Sequence, residues 1–396
     1  MQGSGFEHNT ELASGYARQK RIVALDGLRG LAALIVVIFH FLYMLIPTAV
    51  STFDQTPFVL TDTPLGILWN GRFAVSVFFV LSGFVIAGAA ERRSNQIISN
   101  IVTRYVRLAL PATASVIFAW LLLTTFPTAT EDLAKVTDSP SHWLNHTHQA
   151  LIPPFHEALT HGLVGNFVAG GSLFNNVLWT MKIELIGSIS LFIIYWLTSG
   201  RARLIVLTIC GLAIPFIMRP DYFGFVLGAL MYEARTRGFL NNVPTWLTTT
   251  LFFAGLVLGA PGEGFSQRWD LPTIIPLITI GNSNGITPII AATLLIFAIA
   301  NSPTIADFFS SSYLQWLGKI SFALYLVHVP ILYTLVATVY VDLQPNFLVI
   351  IIGYFGSVLL LAHIFTKMVD EPTLKLFPAI KAYLSPIDKL SNLRRS

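Results

Sequence analysis

The sequence has few charged residues. Asp, Glu, Lys and Arg hold only 11% of its 396 positions, whereas an ordinary soluble domain carries about 25%. Hydrophobic residues make up 54%, which excludes a disordered chain and fits poorly with a water-soluble globule. The net charge of +4 is small and its cations are scattered, so no nucleic-acid partner is expected. The composition predicts a multi-pass membrane protein.

Cysteine is nearly absent, since Cys210 is the only one. A single thiol excludes an internal disulfide and a cysteine-based zinc site. Five histidines lie between positions 127 and 176, where His146 and His148 raise the alternative of a shared zinc ion. Two consecutive prolines interrupt this segment and no carboxylate stands at ligand spacing. We therefore interpret it as a polar loop on the outer side and predict no metal.

Apolar runs recur along the chain. A helix needs about 20 predominantly apolar residues to cross the hydrocarbon core. We therefore predict an all-α polytopic membrane bundle of about ten transmembrane helices, with one transmembrane domain (25–370) between tails at 1–24 and 371–396. The ten candidate spans, of which the sixth and seventh are short, are 31–48, 73–90, 110–126, 177–198, 204–218, 222–234, 247–260, 286–302, 320–340 and 347–367.

The distribution of lysine and arginine indicates the orientation of these spans, because cytoplasmic loops carry an excess of both. With the N-terminus in the cytoplasm, the inner segments hold 19 of the 24 cations and the outer segments hold four. An even number of spans then returns the C-terminus to the same side. Both tails are predicted to be cytoplasmic.

Arg29 and His40 are ionisable residues in the first span, where such residues are costly and mark function. They stand eleven residues apart, which is three helical turns plus about 20°, so they share a face and lie about 16 Å apart along the axis. Arginine suits phosphate, and histidine is the usual general base near neutral pH. The pair predicts a ligand with an anionic head and a reactive tail, bound with His40 near the middle of the bilayer. The alternative is a snorkelling arginine and a structural histidine.

Two other spans carry charges. Arg104 and Arg107 are three residues apart and share a helix face, which favours a phosphate site, although arginines at the inner boundary also serve as topological anchors. Lys182 and Glu184 are two residues apart and point in different directions. Glu184 is the deeper, and we expect it to orient His40, to bind a substrate hydroxyl or to make a structural hydrogen bond.

The ninth span carries Tyr325 and His328, again three residues apart on one face. We expect both to line the same cavity as His40. A buried histidine with satisfied hydrogen bonds is the alternative for His328.

Six motifs together resemble the acyltransferase-3 family of integral-membrane O-acyltransferases. They occur in the family's order from about 20 to 370, and they are LDGLRGLAALIVVIFHF, FFVLSGFVI, Arg104-x-x-Arg107, LWTMKIEL, LGKISFALYLVHVPI and VDEP. The resemblance implies transfer of an acyl group, most often acetyl, from coenzyme A to a hydroxyl. It implies His40 as the base. The site residues predicted beside it are Glu184 for catalysis, Arg29, Arg104 and Arg107 for the donor, and Trp179, Tyr325 and His328 for the substrate.

The expected function is therefore that of a membrane-embedded O-acyltransferase in the bacterial inner (plasma) membrane. Its donor is acetyl-CoA or another acyl-CoA, and its acceptor is a hydroxyl of a carbohydrate such as a cell-surface polysaccharide unit. A macrolide-like or other secondary metabolite is the alternative acceptor. A transporter of an acyl group or a small solute is the alternative of another class, but the paired broken helices that mark many transporters are not evident. Its contacts are acyl-CoA, the hydroxylated acceptor and membrane lipids, and no oligomeric state is predicted.

Overall fold

Helices account for nearly all of the structure, a computed structural model that describes residues 4–46, 64–137, 151–240, 242–260 and 285–393, with the backbone alone for 4–22. No strand occurs in these ranges. In chain order the helices are α1 (Ser4–Leu45), α2 (Gly71–Arg92), α3 (Ile97–Thr125), α4 (Ala129–Thr137), α5 (Phe155–Thr160), α6 (Trp179–Leu197), α7 (Gly200–Ile217), α8 (Asp221–Thr236), α9 (Thr245–Gly259), α10 (Ile286–Asn301), α11 (Pro303–Phe309), α12 (Ser312–Ile331), α13 (Ala337–Leu343), α14 (Phe347–Phe365), α15 (Glu371–Lys375) and α16 (Phe377–Leu393).

The predicted all-α polytopic bundle is confirmed. Within the described residues, seven helical segments are long and apolar enough to cross a membrane, and the pair of α10 and α11, bent by 105°, makes an eighth. The sixth and seventh predicted spans correspond to α8 and α9, which are helices of only 16 and 15 residues. Each predicted span thus coincides with a helix. The two shortest apolar runs give helices that are too short to count among the membrane-crossing segments.

The first helix starts earlier than the apolar run alone predicts. Its apolar part begins at Val23 rather than at position 31 and ends at Leu45. His40 is therefore 17 residues from the start of this apolar part and five from its end, in its C-terminal half. Asp26 and Arg29, which break the apolar run in the sequence, lie inside this helix and face a cavity.

The C-terminal segment 371–396, predicted as a tail, contains two helices, and α16 docks on the start of α3. The buried Asp388 carboxylate accepts hydrogen bonds from the Ile98 backbone N–H at 2.9 Å and from the Ser99 hydroxyl at 2.5 Å. A carboxylate at a helix N-terminus satisfies backbone N–H groups that have no partner within the helix. This contact fixes α16 to the bundle.

Helices α1 and α12 cross in close contact at two glycines. A Cβ atom on Gly30 would lie 2.4 Å from the Gly318 nitrogen, and one on Gly318 would lie 2.3 Å from the Asp26 carbonyl oxygen. Small residues let helices approach closely in a membrane. The two helices run parallel, since Gly30 meets Gly318 and His40 meets His328 further along. The pairing brings the functional residues predicted on α1 beside those of the ninth predicted span.

Proline at position 330 fixes the environment of His328. Pro330 has no N–H, so the carbonyl of Leu326 loses its partner within the helix. That carbonyl accepts hydrogen bonds instead from the Ser115 hydroxyl at 2.9 Å and from the Asn175 amide at 2.8 Å. Beyond the proline, α12 passes into a π turn at Leu332–Val336. Helices α3 and α12 are thereby joined next to His328.

The connection predicted as a polar loop is helical over 155–168. Helix α5 continues through the π turn His161–Gly165 and packs along α3, where Trp120 donates a hydrogen bond to the Pro153 carbonyl at 3.0 Å and Tyr105 donates one to the Leu163 carbonyl at 2.7 Å. Trp120 and Tyr105 are separated by about 22 Å of helix. The connection therefore reaches into the bundle. His146 and His148 lie outside the described residues.

Candidate functional site

A cavity of about 600 Å³ lies between α1, α2, α3, α6, α12 and α15. Its volume falls within the range of roughly 300–1,000 Å³ common for small-molecule sites. Six residues on one face of α2 line it over about 16 Å of helix, namely Val75, Phe78, Phe79, Ser82, Val85 and Ile86. The cavity is long as well as deep, which suits an extended ligand.

Charge is concentrated at one end of this cavity, which we call the mouth. The side chains of Asp26 and Lys319 there are 48% and 57% exposed. At the opposite, deep end the lining residues Val75, Phe79 and Tyr325 are buried. The mouth accordingly suits an ionic group and the deep end an apolar one.

The three arginines predicted to hold the donor all line the cavity, and each is paired with a carboxylate. Arg29 lies 3.0 Å from Asp26. Arg107 forms a two-point contact with Asp370, and its guanidinium lies over the Phe322 ring at 5.5 Å. Because these side chains face the cavity, they differ from arginines that only anchor a helix at the membrane boundary.

Glu184 forms a buried ion pair with the third arginine, Arg104. Ser82 donates a hydrogen bond to the Glu184 carboxylate at 2.8 Å, and the Arg104 Nε donates one to the Ser188 hydroxyl at 2.8 Å. Lys182 points the other way and donates to the Val168 carbonyl at 2.6 Å. The predicted divergence of Lys182 and Glu184 is confirmed. Of the roles weighed for Glu184, these contacts match the structural one, because they connect the carboxylate to α2 and α3.

His40 and His328 form a pair of buried imidazoles. The His40 Nδ1 lies 2.8 Å from the Val36 carbonyl oxygen and 3.3 Å from the His328 Nε2, while the His328 Nδ1 lies 3.1 Å from the Leu324 carbonyl oxygen. Assigning one proton to Nδ1 of each ring satisfies all three contacts. In that assignment the single Nδ1 proton of His40 is shared between the Val36 carbonyl and the His328 Nε2, and the Nε2 of His40 is the unprotonated nitrogen of its ring.

One aromatic ring, that of Tyr325, joins the cavity to the histidine pair. Tyr325 lines the cavity and its ring centroid is 5.9 Å from that of His328 and 6.0 Å from that of Phe78. The Tyr325 hydroxyl donates to the Val177 carbonyl at 2.8 Å and lies 3.1 Å from the Thr180 hydroxyl. His40 and His328 stand behind this ring and are not among the described lining residues. Of the three residues expected to share one cavity, only Tyr325 is among the described lining residues, and His328 contacts His40 instead.

Trp179, predicted to contact the substrate, packs elsewhere. Its ring lies edge-on to Phe79 at 6.3 Å, and the guanidinium of Arg219 lies over it at 5.0 Å. Arg219 shares the buried Asp221 carboxylate with Arg72, at 3.1 and 3.3 Å. All of these are at helix ends predicted to be outer. The structure therefore places Trp179 in an outer cluster and not in the cavity wall.

Three polar residues of the cavity, Ser82, Asp370 and Glu371, were not among the predicted site residues, although they lie within the motifs FFVLSGFVI and VDEP. All three line the cavity and contact Glu184, Arg107 and Lys319 respectively. The signal available in the sequence was the carboxylate pair directly after an apolar span, a position where ionisable residues mark function.

Metal ligands do not cluster in the part of the chain that the structure describes. No group of three or more His, Cys, Asp or Glu side chains there is arranged to hold an ion.

Comparison with known proteins identifies the family of the chain. The acyltransferase-3 family model, described as an acyltransferase domain, matches residues 22–366. The O-acetyltransferase PaAT-1 of Phomopsis amygdali is 26% identical over an alignment that covers 81% of this chain and 75% of the relative. The acyltransferase clz18 of Cochliobolus lunatus is 24% identical, with 89% of this chain and 94% of the relative covered. No solved structure shows a significant match. The chain belongs to the acyltransferase-3 family and is an O-acyltransferase.

Proposed function

We propose that the chain transfers an acyl group, acetyl first among them, from acyl-CoA to a hydroxyl of a carbohydrate such as a cell-surface polysaccharide unit. The observation that carries the proposal is the cavity, whose mouth is ionic and whose apolar deep end approaches the pair of His40 and His328. Coenzyme A has the matching form, with phosphates at one end and a thioester at the other. Arg29, Arg104 and Arg107 are the cations proposed to face the donor.

His40 acts as the general base in this reaction. Its Nε2 takes the proton of the acceptor hydroxyl as the oxygen attacks the thioester carbonyl, a role that contributes about 10²–10⁴-fold in enzymes. The C–S bond then breaks, and the imidazolium returns the proton to the departing thiolate. The products are the ester and free coenzyme A. Tyr325 lines the cavity next to the histidine pair, so its ring must move aside for the carbonyl to reach Nε2.

His328 is proposed to position His40 rather than to bind substrate. As Nε2 gains a proton, the hydrogen bond from the His40 Nδ1–H to the His328 Nε2 becomes charge-assisted and stronger. This contact holds the ring in one tautomer and supports the imidazolium. Val36 and His328 supply the orienting contacts that a carboxylate supplies in the catalytic triads of hydrolases.

Replacement of His328 by alanine is expected to lower kcat about tenfold or more, since a hydrogen bond to a charged group contributes roughly 1.5–3 kcal/mol. The KM for the donor should stay unchanged. His328→Gln, which keeps an acceptor, should recover part of the loss. Steady-state kinetics distinguishes positioning of His40 from substrate binding. An increase in KM at constant kcat would show that His328 binds substrate.

A second acceptor class is favoured by the apolar deep end. Phe78, Phe79 and Met181 line it, and such a wall also suits a macrolide-like or other secondary metabolite. A panel of sugars and apolar polyols, assayed with acetyl-CoA and purified protein, distinguishes the classes by acceptor-dependent thiol release. Thiol release with the sugars supports a carbohydrate acceptor. Release with the apolar polyols alone supports the secondary-metabolite acceptor instead. The absence of release with every acceptor contradicts the acyl-CoA donor.

The chain is a multi-pass membrane protein, and the proposal includes which membrane holds it. The bacterial inner membrane expected from the sequence stays a prediction. The two relatives come from fungi, where the plasma membrane and the internal membranes present the same cytoplasmic face to coenzyme A. Fractionation of the native membranes with an antibody to the chain decides among them.

A further inference from the structure

Most cations of the cavity are already neutralised. Arg29, Arg104 and Arg107 each face one carboxylate, from Asp26, Glu184 and Asp370. A pair of one cation and one carboxylate has no net charge, and an incoming phosphate meets the carboxylate as well as the guanidinium. These three pairs therefore shape the wall but leave no excess positive charge.

The mouth has a different balance. Glu371 is shared by two lysines, since the Nζ atoms of Lys319 and Lys367 both lie 3.0 Å from its Oε1. The lysine side chains are 57% and 49% exposed. Two ammonium groups around one carboxylate leave one positive charge in excess. Each ammonium has three donors, so both keep hydrogen-bonding capacity after Glu371 is satisfied.

The position of these lysines is fixed by the fold. Lys319 follows Gly318, which is held against α1, and Glu371 follows the π turn Thr366–Asp370. Lys319 and Glu371 line the cavity. Nine residues of α12 separate Lys319 from His328, about 14 Å. A ligand that contacts both regions needs an anionic group joined to its reacting carbon by a long arm.

We propose that Lys319 and Lys367 form a phosphate site that takes the 3′-phosphate of the coenzyme A donor. This inference rests on the proposed function and adds to it the recognition of one phosphate. The 3′-phosphate is the dianionic group at the end of the donor far from the thioester. Lys319 and Glu371 line the end of the cavity far from the histidines, and Lys367 contacts Glu371 beside them. Glu371 holds both ammonium groups together at the site.

The test compares acetyl-CoA, acetyl-dephospho-CoA, which lacks the 3′-phosphate, and acetyl-pantetheine, which lacks the nucleotide. The full chain should show a KM about tenfold lower for acetyl-CoA than for acetyl-dephospho-CoA. Lys319→Ala and Lys367→Ala should each reduce this preference and the double variant should abolish it, with kcat unchanged and the KM for acetyl-pantetheine unaffected. Lys375→Ala, an exposed lysine on α15 that does not line the cavity, is the matched control and should behave as the unaltered chain.

Calorimetric binding of coenzyme A and dephospho-CoA separates this inference from the proposed function, because it needs no turnover. Tighter binding of coenzyme A that depends on the two lysines supports the phosphate site even where transfer fails. Equal binding of the two nucleotides, or an unchanged preference in the double variant, overturns the site. If acetyl-CoA still supports transfer in that case, the acyltransferase proposal stands and only the phosphate site is rejected.

Discussion

His40→Ala is expected to lower kcat by about 10²–10⁴-fold, the contribution of a positioned general base. The lost group acts on the proton in the transition state, so kcat and kcat/KM should fall together while donor binding stays near that of the unaltered chain. Steady-state rates of coenzyme A release, with calorimetric binding of coenzyme A to the same samples, measure both quantities.

The control for this substitution is His363→Ala. His363 is an exposed histidine on α14, so its loss removes an imidazole from a transmembrane helix without touching the cavity. It should leave the rate unchanged. Thermal unfolding of the His40 variant shows whether the fold is retained. A folded His40→Ala protein with the turnover of the unaltered chain would exclude His40 as the base.

Arg104→Ala is expected to be the most destabilising substitution among the three arginines that line the cavity. It leaves the buried Glu184 carboxylate without its partner, and breaking a buried ion pair costs roughly 3–5 kcal/mol of unfolding free energy. The unfolding temperature in detergent and the yield of folded protein should both fall. Glu184→Gln also breaks the pair and leaves the Arg104 guanidinium without its carboxylate, so it should lower the unfolding temperature as well, although its amide oxygen can still accept the hydrogen bond from Ser82.

The exposed pair of Lys135 and Glu131 provides the control. Its atoms lie 2.7 Å apart, and the side chains are 64% and 47% exposed. Exposed ion pairs contribute about 0–1 kcal/mol, so Lys135→Ala should leave the unfolding temperature nearly unchanged. If Arg104→Ala unfolds like the Lys135 variant and loses only donor affinity, then Arg104 belongs to the donor site and the structural role of its pair is wrong.

The helices could be predicted from the sequence because a span is a local property. Each apolar run of sufficient length gives a helix, and the spacing of Arg29 and His40 or of Lys182 and Glu184 fixes their directions around one helix. The even number of spans and the distribution of lysine and arginine then predict that Arg29, Arg104 and Arg107 lie at the same, cytoplasmic end of the bundle. The cavity does gather Arg29, Arg104 and Arg107 at one end.

The partners of these residues could not be predicted in the same way, because they belong to distant helices. His40 and His328 are 288 positions apart, and Arg107 and Asp370 are 263 apart. No periodicity within one helix carries that information. The helical segment at 155–168 was missed for another reason, since its glycines and histidines weaken the apolar pattern and only its packing on α3 stabilises it. Trp179 was assigned to the substrate from its motif, but it packs behind Phe79 and against Arg219 and is not among the described lining residues of the cavity.

In the proposed reaction His40 is the general base, and the acyl donor enters on the cytoplasmic side. Sealed vesicles of both orientations test it, because acetyl-CoA does not cross a bilayer. Acetylation of the acceptor should occur when labelled acetyl-CoA is added to the face that carries the chain's termini. It should be absent when the donor is added only to the opposite face, and absent in both orientations for His40→Ala. Transfer from a donor at the opposite face, or transfer by the folded His40 variant, would contradict the account.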